Sequence, residues 1–165
     1  MHTPRRTIQD GIITIENPSG EHAYWADKNK VWYPSVTTIT GVYPKGAGFQ
    51  AWLGNQESYE EAERIRDEAG DRGTRVHRAI EQLLKGKPLT YDEYTETNEL
   101  EFWKSVEEWR MLEGFQQWIE DAHPEVLLTE TRVISETHKY GGTFDLACKI
   151  DGALHIVDFK TSSAI

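Results

Sequence analysis

The stretch 143-TFDLACKIDGALHIVDFK-160 sets an Asp-Gly pair, Asp151-Gly152, between two runs rich in apolar and β-branched residues. That is the strongest short-range signal for a β-hairpin with a two-residue turn, because both central positions need positive φ and Asp and Gly adopt it at low cost. With Ile150 facing Ala153, the register puts Asp145 directly across from Asp158 and Thr143 across from Lys160. Lys160, two residues past Asp158, shares its face. Two like charges facing each other on a sheet are destabilising. A bound divalent cation relieves that repulsion most simply, and a solvated acid pair balanced by Lys160 and neighbouring lysines or arginines does so without a metal. Phe144, Leu146, Cys148, Ile150, Val157 and Phe159 occupy the other face and read as core. A slip of one residue would carry Asp145 onto that face.

Working outward, 165 residues support one domain with a real core, its first 45 residues a β/helix extension and residues 46–165 a helical part plus the hairpin. Asp and Glu number 28 against 18 Lys and Arg, a formal charge of -10. That argues against a surface that coats nucleic acid throughout, and leaves room for a local basic track beside an acidic metal site. A lone cysteine, Cys148, rules out an internal disulfide and any iron-sulfur cluster held by four cysteines of this chain. MHTPRRTIQD lacks the apolar run of a signal peptide, and no window is long and apolar enough for a membrane span, so a soluble protein of a reducing, cytoplasmic compartment is expected.

Before the hairpin, IITIE and HAYWAD, separated by turn-rich Asn17-Pro18-Ser19-Gly20 and Lys28-Asn29-Lys30, predict small antiparallel strands. Ser35 is placed to cap a short helix over VTTITGVY, and Phe49 to Asn55 suits another helical turn with Trp52 on its buried side. Ser58 to Lys85 is strongly helical, with a break or kink expected around Gly70 to Gly73. Val76, Ile80, Leu83 and Leu84 form its apolar stripe, and His77 and Glu81 lie one turn apart at the edge. Arg72, Arg75 and Arg78 surround the same turn as a cationic patch whose forks match phosphate oxygens. Pairing with Glu63, Asp67, Asp71 or Glu81 is the plainer role for each. A further helix is expected from about Thr97 to Glu120, with Leu100, Trp103, Val106, Trp109 or Arg110, Phe115, Trp118 and Ile119 on its apolar side. EVLLTETRVIS then returns to strand. Strands and helices segregated along the chain predict an α+β fold, helices covering a mainly antiparallel central sheet.

RGTRVHRAIE followed by GGTFDLACKIDGALHIVDFKTS resembles the RecB-like branch of the PD-(D/E)XK nuclease superfamily: a helix with Gly-x-x-x-His, a Gly-x-x-Asp strand, and a hairpin return ending in Asp-x-Lys-Thr. Tyr33-Pro34-Ser35-Val36-Thr37 is similar to the Pro-Ser-Val-Thr segment of phage exonucleases and relatives of the mitochondrial genome maintenance exonuclease. The resemblance implies a restriction-endonuclease-like core and metal-dependent hydrolysis of DNA, with an exonuclease of recombination or repair as the nearest type. His77, Asp145 and Asp158 would be metal ligands together with the carbonyl of Phe159, and Lys160 would orient or deprotonate the attacking water. Glu81, Glu130 and Thr161 match supporting positions, and Arg72, Arg75 and Arg78 would track the DNA backbone. Oxygen ligands plus one imidazole suit Mg²⁺ or Mn²⁺.

The family pattern continues past Lys-Thr into a helix carrying Gln-x-x-x-Tyr and further strands, whereas this sequence ends at Ile165. The expected core therefore lacks that helix and those strands: either the chain is a fragment, or a protein partner or a homo-oligomer completes the wall, or the domain is a shortened form. Two rivals stand beside the nuclease: a non-catalytic nucleic-acid-binding or assembly module on a truncated nuclease fold, and an acidic adaptor in which His77, Asp145 and Asp158 are structural.

Overall fold

The structure, a computed structural model, describes residues 5–9, 12–16, 22–26 and 28–161. The chain divides into two compact units, Met1–Gln50 with Glu130–Phe144, and Ala51–Thr129 with Asp145–Ile165.

In the first unit, β1 (Arg5–Gln9), β2 (Ile12–Glu16), β3 (His22–Ala26) and β4 (Val31–Pro34) form an antiparallel four-stranded sheet in sequence order. The two stretches of alternating sequence become β2 and β3. The turn before β4 is closed by Lys30, at φ 55, whose N–H donates to the Ala26 carbonyl at 2.9 Å. The turn expected at Asn17-Pro18-Ser19-Gly20 lies outside the described residues. Tyr24, Ala26 and Tyr33 form the buried centre, with Ile12 and Ile134 packed on it. Gly141 meets this cluster so closely that a Cβ there would stand 2.6 Å from Cγ of Tyr24, closer than carbon atoms approach. Ser35 caps α1 (Val36–Gly41) as expected, its Oγ accepting from the Thr38 N–H at 3.0 Å. The next helix is α2 (Ala47–Gly54), with Trp52 half-buried.

The second unit is built on α3 (Tyr59–Leu84), capped by Ser58, whose Oγ accepts from the Glu61 N–H at 3.1 Å. The break expected at Gly70 to Gly73 does not occur: α3 is one helix of 26 residues. Each glycine costs a helix interior about 1 kcal/mol, and the burial of Ala62, Val76, Ala79 and Ile80 on the same helix outweighs that. A short helix, α4 (Tyr91–Thr97), was not anticipated, although Thr90 and Glu93 form the capping box that announces it. α5 (Phe102–Ala122) therefore begins later than Thr97, and it ends at His123, which takes φ 45. Its buried residues are Ser105, Glu108, Leu112 and Phe115, whereas Trp103, expected on the apolar side, is 78% exposed. Val76, Ala79, Ile80, Tyr94, Leu112 and Phe115 make the core, with Trp109, Trp118, Ile119 and Phe159 packed around it.

β5 (Glu125–Ser135), β6 (Tyr140–Ile150) and β7 (Ala153–Val157) form a three-stranded sheet in that order. β6 and β7 pair antiparallel from Ile150↔Ala153 to Leu146↔Val157, the register read from the sequence. Asp151 and Gly152 turn the chain at φ 52 and φ 80, the double positive-φ turn that the Asp-Gly pair implies. The fold is thus α+β with antiparallel pairing, its strands in two sheets rather than one central sheet. Among the described residues, no helix is long and apolar enough to cross a membrane.

Candidate metal centre

The hairpin ladder stops at Val157, one residue short of the expected pair of facing aspartates. What replaces the next rung is a side-chain contact: the Phe159 N–H donates to Oδ2 of Asp145 at 2.6 Å. The Asp145 side chain is 13% exposed, and its other oxygen lies 3.6 Å from Nδ1 of His77. On the far side of the imidazole, Nε2 stands 3.0 Å from the Phe159 carbonyl oxygen, a contact spanning 82 residues of sequence. The Phe159 ring packs edge-on against Phe115 and Trp118 at centroid distances of 5.4 and 6.0 Å, which anchors that carbonyl. α3 and the end of the hairpin thus bring together an imidazole, a carboxylate and a carbonyl.

Both ring nitrogens of His77 face acceptors. A neutral imidazole has a single N–H, which suffices for the contact of hydrogen-bond length between Nε2 and the Phe159 carbonyl, while Nδ1 stands 3.6 Å from Asp145. The donor set fits a cation: one nitrogen and hard oxygens, no thiolate. The 3.0 Å between Nε2 and the carbonyl oxygen is also the spacing expected of adjacent donors about an octahedral ion with ligands at roughly 2.1 Å. Cys148 is buried, and burial pushes its thiol pKa up, so it behaves as a small core residue.

Asp158 and Lys160 pair with each other beside that cluster, and the Asp145 charge also acts on Lys160. Their side chains are 62% and 80% exposed, Nζ lying 2.5 Å from Oδ2. The hydrogen bond to Asp158 holds the Lys160 ammonium above its ordinary pKa range, against the opposing effect of burial and with help from the charges of Asp158 and Asp145. In this arrangement Lys160 is a cation, suited to orienting or stabilising rather than to removing a proton.

Among the supporting positions, Glu81 pairs with Lys85 at 2.6 Å. Thr161 comes within reach of Gly73, where a Cβ would sit 3.3 Å from its Oγ1. Glu130 belongs to the other unit, on β5, with a left-handed backbone at φ 44 that non-glycine residues rarely adopt.

The three arginines are placed differently from one another. Arg75 is committed to Glu108, with Nε–Oε2 at 3.0 Å and Nη2–Oε1 at 2.5 Å, and Tyr94 donates to the same carboxylate at 2.6 Å. Glu108 is 1% exposed. Arg72 pairs with Glu107 at 3.1 Å and donates to the Thr161 carbonyl at 3.4 Å. Arg78 is exposed. The expected partners on α3 itself are not the ones used by Arg72 and Arg75, because Glu107 and Glu108 arrive from α5. An acid in phase with Ser105, Leu112 and Phe115, on the buried side of α5, is the signal that would have marked Glu108.

Comparisons of the chain with protein-family models, with curated proteins and with solved structures found no match.

Proposed function

We propose that this chain is a divalent-metal-dependent nuclease acting on DNA, built on a restriction-endonuclease-like core. The observation that carries the reading is the convergence of His77, Asp145 and the Phe159 carbonyl, two of them from the hairpin and one from a helix far away in sequence. His77 through Nε2 and the Phe159 carbonyl would hold a Mg²⁺ or Mn²⁺ ion; Asp145, which meets the imidazole at Nδ1, would join them by turning its Oδ1, and Asp158, adjacent to the Phe159 carbonyl, is the remaining carboxylate of the set. Such an ion supplies Lewis acidity and charge neutralisation to a phosphodiester and lowers the pKa of water. Asp145 orients the end of the hairpin through the Phe159 N–H while turning its second oxygen toward His77. Lys160, kept protonated beside Asp158, puts a mobile positive charge where negative charge develops on phosphate oxygens. Phe159, packed on Phe115 and Trp118, closes one side to water. Arg78, the exposed arginine of the three, is the backbone contact this reading favours.

Incubating the protein with end-labelled single- and double-stranded DNA in Mg²⁺, Mn²⁺ or EDTA tests it. Cleavage should require the metal and fall at least 100-fold in Asp145→Asn and in Lys160→Ala. Cleavage undiminished in both variants would come from a contaminant and would sink the proposal. The outward Asp158–Lys160 pair favours a second reading, a nucleic-acid-binding module without hydrolysis. DNA binding that weakens steeply with salt, with no cleavage under any metal, would select it.

A further inference from the structure

The segment that leaves β7 carries two of the proposed catalytic side chains, Asp158 and Lys160, yet it has no strand ladder of its own beyond Val157. It is held instead along one face of α3. At one end, His77 meets the Phe159 carbonyl at 3.0 Å. About a turn earlier on the helix, the guanidinium of Arg72 donates through Nη2 to the Thr161 carbonyl at 3.4 Å. Its Nη1 is fixed by Glu107 of α5 at 3.1 Å, and the side chain is only 20% exposed. Gly73 is what lets the segment lie this close, since a Cβ there would already crowd Thr161 Oγ1 at 3.3 Å. Lys160 thus sits between two carbonyls that are both tied to α3, while its own side chain and that of Asp158 remain in solvent.

We propose that Arg72 is a positioning residue: braced by Glu107, it clamps the Thr161 carbonyl and so fixes where Asp158 and Lys160 stand relative to the His77 imidazole. The role assigned to it from the sequence, a contact to the DNA backbone, is a different one, and the two make opposite predictions. A guanidinium bound to one carboxylate and one carbonyl, four-fifths buried and with its Nε–H enclosed without a partner among the described residues, is poorly placed to reach a phosphate in solvent. The consequence for catalysis rests on the nuclease reading, whereas the clamp itself does not.

Native-state amide hydrogen exchange, on wild type, Arg72→Ala, Arg72→Lys and Glu107→Gln, reads the clamp without any activity. The reporter is the Phe159 amide, which is hydrogen-bonded to Asp145, and the control amides are those of Leu146 and Cys148 inside the β6–β7 ladder. Arg72→Ala should speed exchange at Phe159 at least tenfold and leave the controls within twofold. Arg72→Lys, which keeps the charge but reaches a single partner, should fall between. Glu107→Gln, which keeps the side-chain shape but removes the charge bracing Arg72, should move in the same direction as Arg72→Ala and by less. Unchanged exchange at Phe159 in Arg72→Ala, or an equal rise at all three amides, overturns the proposal. If the protein cleaves DNA, Arg72→Ala should lower kcat with KM within twofold and leave the salt dependence of DNA binding intact. A salt slope reduced by about one unit would instead mark a phosphate contact and would also overturn it. Failure of cleavage in wild type would remove the nuclease reading and leave the exchange result to decide the clamp.

Discussion

Replacing Arg75 with Met separates a structural ion pair from a DNA contact. In the native protein the Glu108 side chain, 2% exposed, receives two hydrogen bonds from Arg75 and one from Tyr94. Met keeps much of the aliphatic stem of the arginine and removes the charge, so the carboxylate is left buried with Tyr94 as its remaining donor of the two. Stranding one member of a buried pair costs about 3 to 5 kcal/mol. For a chain of this size each kcal/mol moves the melting temperature by roughly 2 to 4 °C, so the midpoint should drop by about 6 to 20 °C. Arg75→Met combined with Glu108→Leu removes both charges, and apolar replacement of a whole buried pair is often neutral. The double variant should therefore recover most of what the single one loses. Thermal and urea melts of wild type, both single variants and the double one close the cycle. A single variant that melts within about 2 °C of wild type, or a double variant no more stable than Arg75→Met, would show that the pair is not what orders this part of the unit.

Tyr94 is raised above its ordinary pKa, first by burial and then by the Glu108 carboxylate; its folded form holds the phenol proton more tightly than the unfolded chain, so stability should decline above about pH 10, where unfolded tyrosine ionises. Tyr94→Phe should flatten that alkaline limb and lower stability near pH 7 by roughly 1.5 to 3 kcal/mol for the lost bond to a charged acceptor; equal alkaline slopes in both proteins would refute this. Gly141→Ala drives a methyl group to within 2.6 Å of the Tyr24 ring, and overpacking of that kind costs about 1 to 3 kcal/mol, measurable by urea unfolding and disproved by an unchanged midpoint. The Lys160 ammonium, titrated by NMR, should have a lower midpoint in Asp158→Asn than in wild type, since Asp158 is the main cause of its upward shift; identical midpoints would mean the pair does not persist in solution.

The parts of the fold legible in the sequence are those whose causes are local. Asp151-Gly152 specifies its own turn and through it the whole β6–β7 register, and Ser35 and the alternating strands are equally self-contained. Thr90 with Glu93 is just as local, a capping box that announces α4 from the sequence alone. The continuity of α3 was not legible, because two glycines argue for a break and only the burial of Val76, Ala79 and Ile80 against distant residues argues against one. The same holds for the site. His77 and Asp145 come within 3.6 Å of each other, whereas the turn of Asp158 toward Lys160 depends on where the ladder ends, which register arithmetic does not supply. The pairing of Arg75 with Glu108 spans 33 positions, and its one local trace is the acid at 108 in phase with the buried side of α5, which marks Glu108 as buried without naming its partner.

The carboxylates that the hairpin register sets across from each other pose an electrostatic problem, and each has a different partner in the structure. Asp145 is satisfied by a backbone N–H and lies beside an imidazole; Asp158 is satisfied by an ammonium. These two solutions differ in how firmly they hold. The first is largely buried and bound to an anchored peptide, so displacing it would expose a lone pair and a donor together, at roughly 1 to 3 kcal/mol. The second is an exposed ion pair of a kind worth about 0 to 1 kcal/mol, and a divalent cation near the Phe159 carbonyl competes with it on favourable terms. Asp145 and His77 are therefore the fixed part of the proposed centre and Asp158 with Lys160 the exchangeable part. A carboxylate released to a cation frees the ammonium beside it, so the charge that phosphate hydrolysis calls for becomes available in the same exchange that completes the proposed ligand set.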